Sequence, residues 1–377
     1  MRNKAKHKLT SEQSTLLALI RAALWGSEQP KDPEIAMDEA RKQALVPLLF
    51  PDSTLAKFCY AFYVRLLHAQ DELLALMREA GIPVVILKGS AAAVYYPNPI
   101  QRTMGDVDFI VSQDRFQEAA ELLSSSGYDL HHAIKAGDRH CNFVRKGVVF
   151  ELHHHFSDEG IDVESYVTAG LQAPATIRLD AYEIPVLPPL ENGMVLLAHV
   201  ASHLRKGLGL RQAIDWMMYC SAVLDDEMWK TSFQKAAAEC GLEILAVTLT
   251  RMCQLYLGLT DSITWCGGAD ERLCGELLEN MLTSGNFGQA NGAGTRVESV
   301  STNIKRFGLF RYLQKAGEYN WRAYRRHRWL KPFCWLYQIF RYARQGIRAG
   351  RSYFQLAADL NRSDDRYALL SRLGIEK

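Results

Sequence analysis

Two short apolar runs, each bounded by small or charged residues, constrain the fold of this 377-residue chain more than any other feature. Residues 84–87 are continuously apolar and mostly β-branched, as expected of a buried strand, and the run ends at Lys88-Gly89-Ser90. A small-residue helix and a proline break follow, and Gly105-Asp106-Val107-Asp108 then opens a second strand over residues 107–111. The ordered succession of strand, glycine-serine, helix and acidic strand predicts an α+β core.

Asp106 and Asp108 give the second strand its predicted chemistry. Side chains alternate along a strand, so residues two positions apart point to the same face. Hard divalent cations take oxygen ligands and retain waters that substrate phosphates can replace. These aspartates are therefore predicted to be catalytic residues that bind Mg²⁺ or Mn²⁺ at a phosphoryl-transfer site.

Glu151 is the candidate for a third carboxylate. It lies in VVFELHHHF, within a hairpin predicted over residues 141–156 that turns at Lys146-Gly147. Its apolar neighbours would place it in a core, where an unpaired carboxylate is costly. On a strand beside the two aspartates, Glu151 would complete a two-metal arrangement.

The end of the first strand is suited to phosphate. Gly89 permits close backbone approach, and the start of the following helix attracts anions. Ser90 can donate its hydroxyl, while Lys88 and Arg102 can neutralise phosphate charge. Each motif has a structural alternative, because DxD before a strand is common in solvated turns and a glycine-serine pair is often only a helix cap. Their order in one segment favours the functional interpretation.

Residues 87–111, LKGSAAAVYYPNPIQRTMGDVDFIV, resemble the signature of the nucleotidyltransferase superfamily, which has the polymerase-β-like fold. That signature has GS or GG after the first strand and Dx[DE] on the second. More narrowly, the segment resembles a bacterial family of largely uncharacterised nucleotidyltransferases with the order KG, YP, R, DxD. The matching residues are Lys88, Gly89, Tyr96, Pro97, Arg102, Asp106 and Asp108. Residues 203–216, HLRKGLGLRQAIDW, are similar to a helical segment of the same family.

The resemblance implies that Asp106 and Asp108 bind the metals and that Glu151 assists as the third carboxylate. It also implies that Gly89 and Ser90 hold the triphosphate of an NTP, ATP among the possible substrates. The implied reaction transfers a nucleoside monophosphate to a hydroxyl or related acceptor, and pyrophosphate leaves.

The predicted organisation is a small mixed nucleotidyltransferase sheet with helical segments on both sides. Four regions are expected: a helical N-terminal segment (1–70), the core (71–188), a helical domain (189–300) and a basic, aromatic helical segment (301–377). Within the helical domain, helices are predicted at 191–205, 210–224, 227–256 and 270–283, followed by a candidate linker at 284–302.

Several other polar residues have competing interpretations. His153 and His155 would share the face of Glu151 on a strand, and His153 is predicted to line the substrate cleft rather than to bind a transition metal. His199 and His203 have helical spacing but lack the glutamate of HExxH, so a structural pair is predicted. Arg211 and Asp215 are either an i,i+4 pair or contributors to the active site.

The segment 305–354 interleaves basic and aromatic residues. Residues 305–351 hold thirteen Lys or Arg against the single acid Glu318, and the rest of the chain is acidic on balance. Such a segment can bind nucleic acid, lie on an anionic membrane or pack on the same chain. Internal docking is the preferred prediction, because large aromatic side chains are costly to leave in water.

Composition indicates a globular, cytoplasmic protein. No apolar run approaches the roughly 20 residues that cross a bilayer, and the charged start leads into no signal-peptide core. The eight cysteines have no CxxC pair and are expected to be reduced.

Three function classes remain open from the sequence. The leading one is an active nucleotidyltransferase whose acceptor, base preference and oligomeric state the sequence does not reveal. The alternative is a catalytically silent module of the same fold that binds nucleotide or a partner. A kinase comes last, because LKGSAAAV is not a Walker loop.

Overall fold

The computed structural model describes residues 9–131, 139–157, 160–205, 207–286, 308–348 and 365–376. The helices before and within the sheet region are α1 (Ser11–Trp25), α2 (Met37–Lys42), α3 (Val46–Leu49), α4 (Thr54–Glu79), α5 (Gly89–Ala93), α6 (Phe116–Ser125) and α7 (Glu164–Gln172). The later ones are α8 (Pro189–Leu204), α9 (Leu210–Ala222), α10 (Asp226–Met228), α11 (Gln234–Glu239), α12 (Glu243–Met252), α13 (Glu271–Ser284), α14 (Leu309–Asn320), α15 (Arg322–Arg326) and α16 (Cys334–Arg348).

A single seven-stranded mixed sheet forms the core, in the order β3-β4-β5-β2-β1-β7-β6. The strands are β1 (Val85–Leu87), β2 (Val107–Ile110), β3 (Asp129–Leu130), β4 (His140–Arg145), β5 (Val148–His153), β6 (Ala175–Leu179) and β7 (Tyr182–Val186). The central strand β2 is antiparallel to β1 and parallel to β5. The predicted α+β class is confirmed, and the three strands predicted to lie side by side do so.

Burial explains why the central strands β1 and β2 can be recognised from the sequence. Every residue of β1 and of β2 is buried, so neither strand shows apolar-polar alternation except at Asp108. The peripheral strand β6 has mainly polar or half-exposed positions. Asp108 is thus a buried acidic residue in an otherwise apolar strand, and its charge needs a partner.

Two apolar cores lie against the sheet. One core joins the sheet to α4 and α6, and includes Leu67, Phe109 and Phe150. The larger core joins α1–α3 to the helices that follow the sheet, and includes Leu16 and Trp216. The N-terminal helices therefore share a core with the helices of residues 189–284.

Local signals fix the ends of the principal helices. At the start of α1, the Thr10 side chain accepts a hydrogen bond from the Gln13 backbone amide, and the Gln13 side chain accepts one from the Thr10 backbone amide, forming a capping box. The helix ends at Gly26, whose φ of 70° is the left-handed conformation that glycine adopts most readily. The start of α13 is likewise capped by Asp270.

Several elements differ from the sequence prediction. Helix α4 begins at Thr54, where Ser53 caps it, and continues to Glu79, across the boundary between the expected N-terminal segment and core. The helix predicted over 227–256 is divided into α10, α11 and α12 and contains π-helical turns at Trp229–Phe233 and Cys253–Leu257. The linker predicted at 284–302 lies mostly outside the described residues. Among the helices that the structure describes, none is long and apolar enough to cross a membrane.

Candidate functional site

The turn between β1 and α5 brings Lys88 to the centre of the site. Its φ of 51° and ψ of −132° are unusual for a residue with a side chain. The next residue, Gly89, has φ 28°, and a Cβ atom there would lie 3.8 Å from the backbone oxygen of Asp106. The two loops that carry the predicted motifs are therefore adjacent.

Strand register brings Asp108 and Glu151 together. Asp108 pairs with Leu87 on the antiparallel neighbour and with Glu151 on the parallel neighbour. Lys88 Nζ lies 2.7 Å from Asp108 Oδ1, and His153 Nε2 lies 3.2 Å from the same oxygen. His153 Nε2 is also 3.4 Å from Glu151 Oε2. One buried carboxylate oxygen thus accepts contacts from two basic side chains.

The strands place a potential metal-binding group at this point. The ligand atoms of Asp108, Glu151 and His153 all lie within 4.8 Å of one another. Two carboxylates supply the oxygen ligands that Mg²⁺ and Mn²⁺ take, and the imidazole is more compatible with Mn²⁺. The donor set fits a divalent cation.

The two aspartates have opposite electrostatic settings. Burial and the negative charge of Asp108 raise the pKa of Asp106 to about 6. Burial alone would raise the pKa of Asp108, but the charge of Lys88 and the hydrogen bond with His153 lower it well below the ordinary value. At neutral pH Asp108 is a fixed anion, while Asp106 exchanges its proton close to neutrality.

The basic residues respond to the same carboxylates. Burial lowers the pKa of Lys88, but the charges of Asp108, Glu151 and Asp106 together raise it above the ordinary value. Burial likewise lowers the pKa of His153, while hydrogen bonds with Asp108 and Glu151 raise it overall. Lys88 is therefore positively charged.

A separate buried ion pair holds the segment between α5 and β2. The Arg102 guanidinium donates from Nε to Asp215 Oδ1 at 2.8 Å and from Nη2 to Asp215 Oδ2 at 2.7 Å. The Tyr96 hydroxyl donates to Asp215 Oδ1 at 2.7 Å. Arg211 Nη1 donates to the Thr103 carbonyl at 2.9 Å. These bonds tie the loop that leads into Asp106 to helix α9.

A cleft of about 120 Å³ opens beside the carboxylates. Its lining residues, from the sheet and from α8, are Lys88, Arg139, His140, His153, His155, Phe156, His199, Ser202 and His203. This lining contains two cationic side chains and no acid. Burial, together with the neighbouring His203, holds the pKa of His199 well below its ordinary value, so that imidazole is neutral.

Comparison with known proteins identifies the family of the chain. Residues 57–258 match the family model described as "Uncharacterised nucleotidyltransferase", which is more than half of the chain. The chain belongs to this nucleotidyltransferase family. No curated protein matches it. Among solved structures, it is similar to the crystal structure of an antigenic nucleotidyltransferase-like protein from Paracoccidioides brasiliensis, at 16% identity and a TM-score of 0.30. That match covers 56% of this chain and 96% of the other.

Within the nucleotidyltransferase core, the predicted site residues fall into two groups. Lys88, Asp108, Glu151 and His153 are in contact with one another, whereas Asp106 is near enough for its charge to act on Lys88 but lies outside the group of ligand atoms within 4.8 Å. Arg102 and Ser90, predicted to contact phosphate, have other partners: Arg102 is bonded to Asp215, and the buried Ser90 hydroxyl donates to Gln70 Oε1 at 2.8 Å.

Asp215 pairs with Arg102 rather than with Arg211, its helical neighbour. His199 and His203 do form a pair, with ring centroids 4.3 Å apart, and both line the cleft.

Sequence reasoning missed two supporting residues. Asn142 Nδ2 donates to Glu151 Oε1 at 3.2 Å, and Gln70 accepts from Ser90. The first was accessible from the sequence, because the two-residue turn at Lys146-Gly147 fixes the hairpin register and pairs Asn142 with Glu151. Gln70 gave no comparable signal, since it lies on an ordinary amphipathic helix.

Proposed function

We propose that this chain transfers a nucleoside monophosphate from an NTP to a hydroxyl or similar acceptor on a small molecule, peptide or protein. The acceptor oxygen bonds to the α-phosphorus, the bond between that phosphorus and its bridging oxygen breaks, and pyrophosphate leaves. The observation that carries the proposal is the grouping of Asp108, Glu151 and His153 within 4.8 Å in a member of a nucleotidyltransferase family.

The carboxylates support the proposal through their fit to a hard cation. Asp108 and Glu151 come from adjacent strands, and Asp106 lies two residues before Asp108, so the group can present several oxygens to one region. Mg²⁺ or Mn²⁺ bound there would neutralise charge on the transferred phosphoryl group. The Asn142 amide orients Glu151, and the His153 imidazole keeps Asp108 and Glu151 facing each other.

The cleft supports an anionic substrate. Lys88 and Arg139 line the cleft, and its lining residues include no Asp or Glu. A triphosphate carries several negative charges, so the basic lining of the cleft attracts it. The adjacent carboxylates would repel the triphosphate unless a divalent cation neutralised their charge. Gly89 has no side chain, so a substrate phosphate can approach its backbone closely.

Arg102, Tyr96 and Asp215 have a positioning role in this proposal. Their hydrogen bonds are buried, so they fix the loop before β2 rather than touch substrate. Placement within a fraction of an ångström matters for phosphoryl transfer, because catalysis there is largely positioning and electrostatic stabilisation.

Labelled NTPs distinguish the proposed transfer from its alternatives. Pure protein would be incubated with a cell extract, Mg²⁺ or Mn²⁺ and each NTP, labelled either in the α- or in the γ-phosphate. Transfer of α-label to an acceptor supports the proposal, and transfer of γ-label identifies a kinase. Nucleotide binding without any transfer supports a catalytically silent module.

Matched variants assign the activity to the site. Asp108→Asn should lower α-label transfer by about 100-fold or more, since a single electrostatic contact at a reacting centre contributes that much. Asp114→Asn changes the same residue type at an exposed position just beyond β2 and should leave the rate unchanged. Equal rates in the two variants would remove Asp108 from the proposed machinery.

A further inference from the structure

Lys88 is the residue whose placement the proposed chemistry explains least. A lysine with φ 51° is strained, and a glycine follows it immediately. Lys146 has a nearly equal φ of 50° but lies at an exposed hairpin turn, where its Nζ is 2.8 Å from Glu72 Oε1. The strain at Lys88 instead directs a mostly buried side chain into a group of carboxylates.

The ammonium of Lys88 occupies a position beside Asp108 where a metal ion could otherwise bind. It lies 2.7 Å from Asp108 Oδ1, at hydrogen-bond length. In two-metal sites the ions are roughly 3.5–4 Å apart and both contact the same region of carboxylate oxygens. A cation already hydrogen-bonded to Asp108 therefore competes with the second ion of such a pair.

Repulsion between cations leads to the same conclusion. The ammonium of Lys88 is mostly buried against Asp108. A second divalent cation at these carboxylates would lie close to both the first ion and this ammonium, and like charges repel strongly at such distances.

We infer that Lys88 is a resident cation that takes the place of a second metal ion, so that this nucleotidyltransferase site binds a single Mg²⁺ or Mn²⁺. The inference rests on the proposed function for the metal itself. It replaces the two-metal arrangement expected from the sequence with one ion and one ammonium.

Mn²⁺ stoichiometry tests the inference without measuring activity. Binding would be followed by the electron paramagnetic resonance signal of free Mn²⁺ during titration of the wild-type chain and of Lys88→Met, Lys88→Arg and Lys146→Met. We expect one bound ion in the wild type, Lys88→Arg and Lys146→Met, and two in Lys88→Met. Lys146→Met is a matched control, because it removes an ammonium from a lysine with a nearly equal φ that lies outside the carboxylate group.

Other outcomes separate this inference from the proposed function. Two ions in the wild type, or one in a folded Lys88→Met, would overturn the inference and leave nucleotidyl transfer standing. No bound ion in any of the four proteins would overturn both. If Lys88→Met does not fold, the wild-type and Lys88→Arg stoichiometries still decide, because the inference requires one ion in each.

An independent observation concerns the hairpin of α14 and α16, here called the C-terminal hairpin (residues 308–348). The helices pack closely at Gly317, where a Cβ atom would collide with the backbone of Cys334. The face of α16 toward this contact includes the fully buried Gln338. Its neighbours Ile339 and Phe340 are exposed, Phe340 by 72%. An amphipathic helix ordinarily buries its apolar face, and this one turns apolar side chains outward.

The C-terminal hairpin carries a net positive charge, which is complementary to an anionic surface. Residues 308–348 hold ten Lys or Arg and one acid, Glu318. Between α15 and α16, Trp329 is 71% exposed and Phe333 is also exposed. Exposed aliphatic and aromatic side chains with flanking arginines are the combination that inserts at an anionic lipid interface. Nucleic acid would use the basic and aromatic residues but has no comparable use for exposed Leu309 and Ile339.

We propose that the C-terminal hairpin binds the surface of an anionic lipid bilayer, with Phe340 and Ile339 entering the headgroup region. Co-sedimentation would compare vesicles of phosphatidylcholine alone with vesicles that also contain phosphatidylglycerol. Wild-type protein should bind the anionic vesicles selectively, and Phe340→Glu should weaken binding by about tenfold to a hundredfold, as expected for losing one buried aromatic contact. Phe58→Glu is the matched control, because Phe58 is 69% exposed on α4, outside the hairpin.

The result that overturns this proposal is equally definite. Absence of wild-type binding to anionic vesicles would do so, as would equal losses in Phe340→Glu and Phe58→Glu. Salt-sensitive binding to single-stranded nucleic acid in place of vesicle binding would assign the surface to that class of partner instead.

Discussion

The two aspartates of the DxD motif have the same side chain but opposite consequences for stability. Asp108 is paired with Lys88 and His153, and its pKa is lowered. Asp106 is partly buried near the Asp108 charge, and its pKa is raised to about 6. Because a pKa shift between the unfolded and folded states is a contribution to folding free energy, the sign of each shift predicts how the corresponding amide variant behaves.

Asp108→Asn should destabilise the metal-free protein by about 3 kcal/mol at pH 7, because it leaves the buried Lys88 charge without its partner. A lowered folded-state pKa gives stability that is present above the unfolded value of 3.8 and lost as pH falls below it. The difference between wild type and variant should therefore shrink in acid. Urea unfolding at several pH values in the presence of a chelator measures it, and equal stability at pH 7 would contradict the ion-pair assignment.

Asp106→Asn should have the opposite effect. A raised folded-state pKa gives stability that is complete below the unfolded value of 3.8 and is lost as pH rises through about 6. Above that pH the amide should stabilise the metal-free protein by on the order of 2 kcal/mol, and below pH 4 it should have little effect. Thermal melting with a chelator across this pH range tests the prediction. Asp114→Asn, at an exposed site, is the control. Destabilisation by Asp106→Asn at pH 8 would contradict the prediction.

At the scale of elements, the ion pair between Arg102 and Asp215 connects the loop before β2 to α9. Arg102→Met should cost about 3–5 kcal/mol, because the buried Asp215 carboxylate loses the guanidinium that bonds both its oxygens. The double variant Arg102→Met/Asp215→Leu should recover part of that loss, since a buried charge pair replaced by apolar side chains is often nearly neutral. A double-mutant cycle from urea unfolding supplies the coupling energy. Additive losses would show that the two residues act independently.

The elements that sequence reasoning found are those whose signal is local. Strands β1 and β2 are continuous apolar runs, and the β4-β5 hairpin has a glycine turn, so each could be recognised alone. Strands β6 and β7 were missed. Their sequences, ATIRL and YEIPV, do alternate apolar and polar residues on either side of a two-residue turn, and Pro185 of β7 pairs with Thr176 of the edge strand β6. The hairpin signal was therefore local, whereas the pairing of β7 with β1, far away in the sequence, could not be read from any local pattern.

The site divides in the same way. Asp106, Asp108 and Lys88 are within one motif, and strand periodicity predicts their common face. Arg102 was assigned to phosphate because a basic residue near DxD suggested it, whereas its partner Asp215 lies 113 positions away. Only the tertiary fold reveals that this guanidinium already donates to both carboxylate oxygens of Asp215.

At the scale of the whole molecule, the chain returns to its core after the C-terminal hairpin. Residues 365–376 place Leu369, Leu370 and Leu373 in the larger core, and Arg205 Nε lies 2.6 Å from Glu376 Oε1. Arg366 Nη2 donates to Ser284 Oγ at 2.9 Å. The residues on either side of the segment 287–364 are thus adjacent, and the described part of that segment, residues 308–348, contributes no residue to either apolar core.

Excision of that segment tests whether it contributes to the fold. Replacing residues 287–364 by a short glycine-serine linker should leave the melting temperature nearly unchanged, because the contact between Ser284 and Arg366 shows that the ends need little length to join. Ending the chain at residue 304 should instead cost about 5 kcal/mol or more, since three core leucines and the partner of the buried Arg205 are lost. Thermal melts of both variants against the full chain give the comparison. The basic, aromatic composition of residues 305–354 favours internal docking, and a large loss of stability in the excised variant would support that prediction. A stable excised variant that no longer binds anionic vesicles would separate the hairpin from the core and tie the surface activity to it alone.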